Sequence, residues 1–246
     1  MGMSDARHAT RTLDLPPLLR GQAISGDPLA EAVRIARTGI DPGLIVHQLR
    51  PERLAAAIIL SPEAPLADAM AMVFAGANAF ADAFGALAPA EIAAEFDWPG
   101  GFRVNGARCG GLRAAAATPA PEVEPDWLVI AIDVPFRSTG TREPGHTPDV
   151  TTLYAEGCGS LTPTAVLESW SRHMLHWIDR WLDDGMARLH RDWSGRAASL
   201  GRDVVFDLAS SAWAGRFVGL DDRGGMLLKT ATETRLLPLT LMLEEA

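Results

Sequence analysis

The sequence predicts an α+β protein: a large unit in which strands and helices alternate, then a small antiparallel β-barrel. Three observations carry that prediction. Strand-length apolar runs alternate with helical stretches over residues 13–194. A Trp98-Pro99 corner opens an Asn105-Gly106 hairpin in the middle of that region. From about Gly195 the pattern changes to four or five short strands at close spacing. The expected division is a disordered tail over 1–12, a main domain over 13–194 and a small domain over 195–246.

The first element is a helix. Asp27 suits the N-cap, Pro28 the first helical position, and Gly39 a left-handed stop. Leu29, Ala32, Val33 and Ala36 fall on one face of it. Gly43 opens a buried strand, Leu44-Ile45-Val46, and Leu54 to Leu60 forms a second. Leu66 to Leu87 is a long helix, apolar nearly all round, so it belongs in the centre. The hairpin follows. Ala114 to Pro125 is rich in Ala and Pro and reads as a loop, and Trp127 to Ile132 as a core strand. Arg137 to Asp149 is polar and reads as a flexible loop. Thr162 and Pro163 open the last long helix, which runs to about His190. Trp170, Met174, Trp177 and Trp181 share its buried face. Beyond Gly195 the strands are Val204–Phe206, Ala214–Gly219, Met226–Lys229 and Arg235–Leu239, with a turn at Asp221–Gly225.

Composition removes several function classes. The 22 basic and 31 acidic residues give a net charge of −9, which argues against a nucleic-acid surface. No uninterrupted apolar run reaches the ~20 residues needed to span a bilayer, so no membrane partner is expected. The start of the chain has no apolar signal core. The two cysteines, Cys109 and Cys158, make no metal or redox spacing and fit a reduced cytoplasm. Lys229 is the single lysine, so lysine chemistry has almost no candidate.

The hairpin is the most informative segment. Asn-Gly between extended runs signals a type I′ turn, which needs positive φ at both positions. Gly110 and Gly111 in the return strand carry no side chain, so a ligand chain can lie directly on the backbone there. On that reading a valine at Gly110 blocks the ligand and leaves the fold intact.

The stretch Trp98-Pro99 to Arg113 resembles the biotin/lipoate protein ligases, in which a Lys-Trp-Pro-Asn-Asp corner precedes a hairpin ending in Lys-x-x-Gly-Ile. The element order matches as well. Thr151-Thr152-Leu153 is similar to their Thr-Ser-Leu before the last long helix, and Gly219 to Leu228 to the Gly-Ile-Asp-x-x-Gly-x-Leu run of their C-terminal domain. The resemblance implies a mixed sheet flanked by helices, with an SH3-like barrel after it. It also implies activation of biotin or lipoate by ATP with Mg and transfer of the acyl group to a lysine of a carrier domain.

The motifs for that chemistry are altered. The Gly-Arg-Gly-Arg-x-Gly-Arg phosphate loop corresponds to His47-Gln48-Leu49-Arg50-Pro51-Glu52-Arg53, which has no glycine. Arg50 and Arg53 can still contact an anion, though a short surface turn is the simpler reading. The catalytic lysine aligns with Arg108, which keeps a charge, cannot act as a base, and can hold a carboxylate or phosphate in its fork. The Gly-x-Gly-Ile-Asn end of the next strand becomes Ala131-Ile132-Asp133-Val134-Pro135, in which Asp133 either would repel an adenylate phosphate unless a cation or arginine lies between, or caps a neighbouring turn. The Ser-Thr-Asn of the family becomes Ser25-Gly26-Asp27, in which Ser25 can keep one hydrogen bond.

The resemblance therefore assigns Arg108 as the catalytic position. Ser25, Arg50, Arg53, Trp98, Gly101, Arg103, Asn105, Gly110, Gly111, Leu112 and Asp133 are the substrate-binding positions, and no metal ligands are assigned. His173, His176 and Asp179 share a helix face but lack a fourth ligand. Cys109, beside Arg108, is either a nucleophile or a small strand residue facing the core. Three functions remain: an acyl ligase or transferase, a non-catalytic protein binding a small acyl ligand, and an interaction protein whose cleft has closed.

Overall fold

The computed structural model describes residues 12–138 and 149–244. The expected tail and most of the expected polar loop lie outside the described residues. A short strand β1 (Arg20–Ala23) precedes helix α1 (Pro28–Thr38), and then come strands β2 (Leu44–Arg50) and β3 (Arg53–Leu60). Helices α2 (Leu66–Ala69) and α3 (Ala71–Leu87) follow. Four strands come next: β4 (Ala94–Asp97), β5 (Gly101–Val104), β6 (Ala107–Ala116) and β7 (Leu128–Pro135). They form one sheet in the order β1-β2-β3-β7-β6-β5-β4. The β1–β2 pair is parallel and the others are antiparallel, so the sheet is mixed.

Each face of this sheet has its own cover. Leu29, Ala32, Val33 and Ala36 of α1 pack on Val46, Ala57, Ile59, Ala115, Val129 and Ala131. Asp27 caps that helix as expected, accepting from the Leu29 amide at 3.4 Å. Gly39 ends it with φ 173°, extended rather than left-handed. The opposite face carries the main core, with Phe74, Phe80 and Phe84 of α3 and Trp170 of helix α4 (Pro163–Asp184) all buried. Within 66–87 the chain is long and apolar enough to span a bilayer, yet 78% of its most apolar window is buried inside the protein.

Four element boundaries differ from the sequence reading. β1 was not expected, because Arg-Gly-Gln-Ala has no apolar alternation and is exposed. The break at Met70 splits the long helix into α2 and α3. β6 runs on through Ala114–Ala116, where small side chains pair with Ile130–Leu128 instead of forming a loop. The last long helix stops at Gly185 (φ 66°), after which α5 (Met186–Ser194) takes a new direction.

Beyond α5 lies a second sheet of strands β8 (Asp203–Leu208), β9 (Ser211–Leu220), β10 (Met226–Lys229) and β11 (Thr234–Leu237), in the order β11-β10-β9-β8. All its pairs are antiparallel. Phe217, Met226, Leu228 and Leu237 join the main core, so the second sheet shares its apolar interior with the first. The Asp221–Gly225 turn is held by Asp221 Oδ1, which accepts from the amides of Arg223 at 3.0 Å and Gly225 at 2.6 Å. Trp98 Nε1 donates to Gly224 O at 2.9 Å and ties the Trp98-Pro99 corner to that turn.

Candidate functional site

The hairpin is built around a bulge. Arg103 pairs with Arg108 and Gly101 with Gly111, so β6 holds one residue more than β5 between these pairs. Asn105 (φ 50°) and Gly106 (φ 86°) make the expected turn. Gly110 has φ 85°, and a Cβ there would lie 2.0 Å from Asp133 O. A Cβ on Gly111 would lie 2.6 Å from Gly100 O. The direction a side chain would take at both glycines is therefore filled by the protein's own backbone, while Gly110 itself stays exposed. They let β6 press against β7 and the Trp98-Pro99-Gly100 corner.

Alternation sorts the remaining hairpin residues. Phe102, Val104, Cys109 and Leu112 turn into the main core. Leu112 is 7% exposed and packs on Gly76 of α3, so its side chain is a core contact and not a substrate contact. Asn105 is likewise occupied structurally: its Oδ1 accepts from the Ala93 amide at 3.3 Å and its Nδ2 donates to Glu156 at 2.8 Å. Arg103 and Arg108 sit on the other face, the one α1 covers further along the sheet. Arg103 Nε donates to Asp97 Oδ2 at 2.7 Å. The Arg108 guanidinium is exposed and has no hydrogen bond or ion pair among the described residues. Its backbone is pinned on both sides, by Asp149 O at 2.9 Å and the Thr151 amide at 2.8 Å.

Trp98, Arg103 and Arg108 line one cavity of about 530 Å³ between the hairpin and β8, with Asp149, Asp203 and Phe206 among its other walls. Its lining mixes apolar Trp98, Val204, Phe206 and Met226 with the carboxylates of Asp97, Asp149 and Asp203, and Arg108 is its one cation unpaired among the described residues. Arg108 can hold the carboxylate of a ligand there, and the apolar side chains its hydrophobic body.

The rest of the predicted site lies further along the same face and is closed by ion pairs. Arg53 Nε donates to Asp133 Oδ1 at 2.7 Å, and its Nη2 reaches Asp133 Oδ2. Arg113 Nε donates to Glu244 Oε1 at 2.6 Å, while its Nη1 donates to Asp27 Oδ1 at 3.0 Å. The bonds to Glu244, acting against partial burial, and those to Asp27 hold Arg113 firmly charged. Ser25 is exposed just ahead of α1, and Arg50 is exposed at the end of β2. The segment aligned with the phosphate loop is almost wholly strand, and only Pro51 and Glu52 form the turn. Gly101 faces Asp97, whose Cβ would lie 3.0 Å from a Cβ there.

Arg113 and Glu244 also lie on this face and were not singled out by sequence reasoning. An arginine among Leu112, Ala114 and Ala115 signals a required partner, but nothing local points to a carboxylate 131 positions away. Burial, reinforced by the nearby Cys158 and Glu156, pushes the Cys109 thiol up to about 12, so it stays protonated and is a core residue rather than a nucleophile. His173 Nδ1 lies 2.9 Å from Ser169 O and His176 lies edge-on to Trp177. Among the described residues no group of side chains is arranged to hold a metal ion.

Residues 15–195 match the biotin/lipoate A/B protein ligase family. The chain belongs to that family. The biotin--[acetyl-CoA-carboxylase] ligase of Paracoccus denitrificans is 24% identical over 185 residues, 75% of this chain and 77% of that one. A biotin protein ligase-like protein of unknown function from Silicibacter sp. tm1040 is 45% identical, with a TM-score of 0.87 over 95% of this chain and all of that one. The Aquifex aeolicus biotin protein ligase, solved in complex with biotin and ATP, shares the fold at 15% identity, with a TM-score of 0.64 over 89% and 95% of the two chains. In this member of the biotin/lipoate ligase family, the mixed sheet and separate C-terminal sheet are kept, and internal ion pairs lie across the face where Arg53, Asp133 and Arg113 meet.

Proposed function

We propose that this protein binds a small carboxylate-bearing acyl compound of the biotin or lipoate kind without converting it to an adenylate. The Arg53–Asp133 ion pair carries the reading. It commits Arg53, the first residue of β3, to an internal carboxylate, and the β2–β3 turn offers only Pro51 and Glu52 where glycine amides would be needed to cradle phosphate. The residues present do not fit ATP with Mg on that face. Arg108, unpaired among the described residues, fits a carboxylate, and Trp98 with Phe206 supplies apolar surface for the attached body. Both cysteines are free and buried, which supports a reducing compartment such as the cytoplasm.

A second reading is supported by similarity to the Paracoccus denitrificans ligase: attachment of the acyl group to a lysine of a carrier domain, using ATP. One experiment separates the two. Calorimetry with biotin and with lipoate should show binding that Arg108→Ala abolishes, and pyrophosphate should not exchange into ATP with either compound present. Ligand-dependent exchange establishes the ligase reading. Absence of both binding and exchange leaves the family resemblance as one of fold alone.

A further inference from the structure

We propose that the free edge of β8 is a docking strand for an extended, basic segment of a partner protein. This goes beyond the ligand reading and does not depend on it.

The backbone is available. β8 is the edge of the second sheet and pairs only with β9 among the described residues. Ala209 (φ 51°) and Ser210 (φ 60°) form the two-residue turn between these strands, closed by the Leu208–Ser211 pair. In such a hairpin the closing pair exchanges hydrogen bonds and every second pair does so after it. The bonded pairs are therefore Leu208–Ser211, Phe206–Trp213 and Val204–Gly215. Asp203, Val205 and Asp207 then turn their N–H and C=O groups to the open edge. Elsewhere the chain covers comparable edges itself: Ala197 bridges Phe96 of β4, and Leu243 bridges Ala114 of β6.

The side chains define the occupant. Val205 is 84% exposed and projects between two carboxylates. Asp203 and Asp207 have no ion pair among the described residues, and Asp149 in the adjoining cavity has none either. Arg216 of β9 stands across from Asp203, with Lys229 beside it and Arg108 in the cavity that Asp203 also lines, whereas Asp207 faces Ala212 and has no basic residue across from it. A strand added here places residues beside Asp203, Val205 and Asp207 on one face. Favourable cross-strand pairs require basic, apolar and basic residues at alternate positions. A second copy of this chain does not meet that requirement, because antiparallel pairing about Val205 sets Asp203 against Asp207 of the other copy. The net charge of −9 favours the same class of partner at longer range.

The test uses a labelled peptide, Thr-Lys-Thr-Val-Thr-Lys-Thr, with a glutamate-for-lysine peptide as control. The lysine peptide should bind, weaken with salt, and slow hydrogen exchange at the Asp203, Val205 and Asp207 amides. Val205→Pro removes an outward donor that β9 does not use, so it should abolish binding while the Phe206 and Trp213 amides stay protected. The double change Asp203→Asn with Asp207→Asn leaves the backbone intact and should weaken binding about tenfold. If Val205→Pro unfolds β8, the asparagine variant decides. No slowing at the three amides, equal binding of the glutamate peptide, or concentration-dependent dimerisation through β8 overturns the proposal.

Discussion

Arg53 of β3 reaches diagonally to Asp133 of β7, which is registered opposite Ala55, and its Nε lies 2.7 Å from Asp133 Oδ1. The pair neutralises the carboxylate that would otherwise oppose an anionic ligand on this face. It also raises the Arg53 pKa, chiefly through the hydrogen bond to Asp133, so the guanidinium is permanently charged. Replacing Asp133 by Asn frees that charge. The expected result is a severalfold gain in affinity for inorganic pyrophosphate, read by calorimetry. Stability should change by less than about 1 kcal/mol, because Arg53 is largely solvent-exposed. Unchanged pyrophosphate binding would show that Arg53 is not held back by this pair.

The two hairpin glycines with positive φ make a matched experiment. Gly106 (φ 86°) has no atom within 4 Å of a built Cβ, whereas Gly110 (φ 85°) has Asp133 O at 2.0 Å. Gly106→Ala should cost about 1 kcal/mol, the conformational penalty alone. Gly110→Ala adds a backbone collision and should cost more than about 3 kcal/mol, or prevent folding. Denaturant melts of both variants measure the difference. Equal costs would mean that β6 and β7 do not approach as closely as described.

These results show which features were legible in the sequence. The Asp27 cap, the Asn105-Gly106 turn and the Trp170–Trp177 stripe were, because each depends on residues within a turn or two of one another. The purpose of Gly110 and Gly111 was not, since their neighbours are set by the register of β6 on β7 and by the corner at Gly100. Leu112 was misplaced for a related reason. The bulge shifts the alternation of β6, and without it the inward side of the strand cannot be assigned. Ion pairs such as Arg53–Asp133, 80 positions apart, and Arg113–Glu244 leave no local signal. The alignment with family motifs found Arg53 and Asp133 separately and could not show that they satisfy each other.

Cys109 provides a direct check on the closed core beneath the hairpin. It is fully buried, its Sγ lies 3.9 Å from Pro135 O, and its thiol is pushed up to about 12. A thiol-reactive chromogen at pH 8 should label it only as fast as the protein unfolds, and denaturant should release it at once. Cys109→Ala should leave acyl-ligand binding unaltered. Rapid labelling of the native protein would revive a cysteine-based transfer mechanism.

The Asp27–Arg113 contact predicts a specific acid response. Burial alone would raise the Asp27 carboxyl. The hydrogen bond and charge of Arg113, with the Leu29 and Ala30 amides, outweigh that and hold it below its ordinary value. A carboxylate with a depressed folded pKa contributes fully above the unfolded value of about 4, and its contribution disappears as pH falls through the folded value. Asparagine is also a good N-cap, so Asp27→Asn removes the charge and keeps the cap. The variant should be less stable than the parent at pH 7, by under about 1 kcal/mol given the partial exposure of both partners. That gap should hold down to about pH 5 and then narrow toward zero by about pH 2. Melting temperatures of the two proteins across this range measure it. A gap of the same size at pH 2 and pH 7 would show that the carboxylate's charge contributes nothing and that only the loss of a hydrogen-bond geometry separates the proteins.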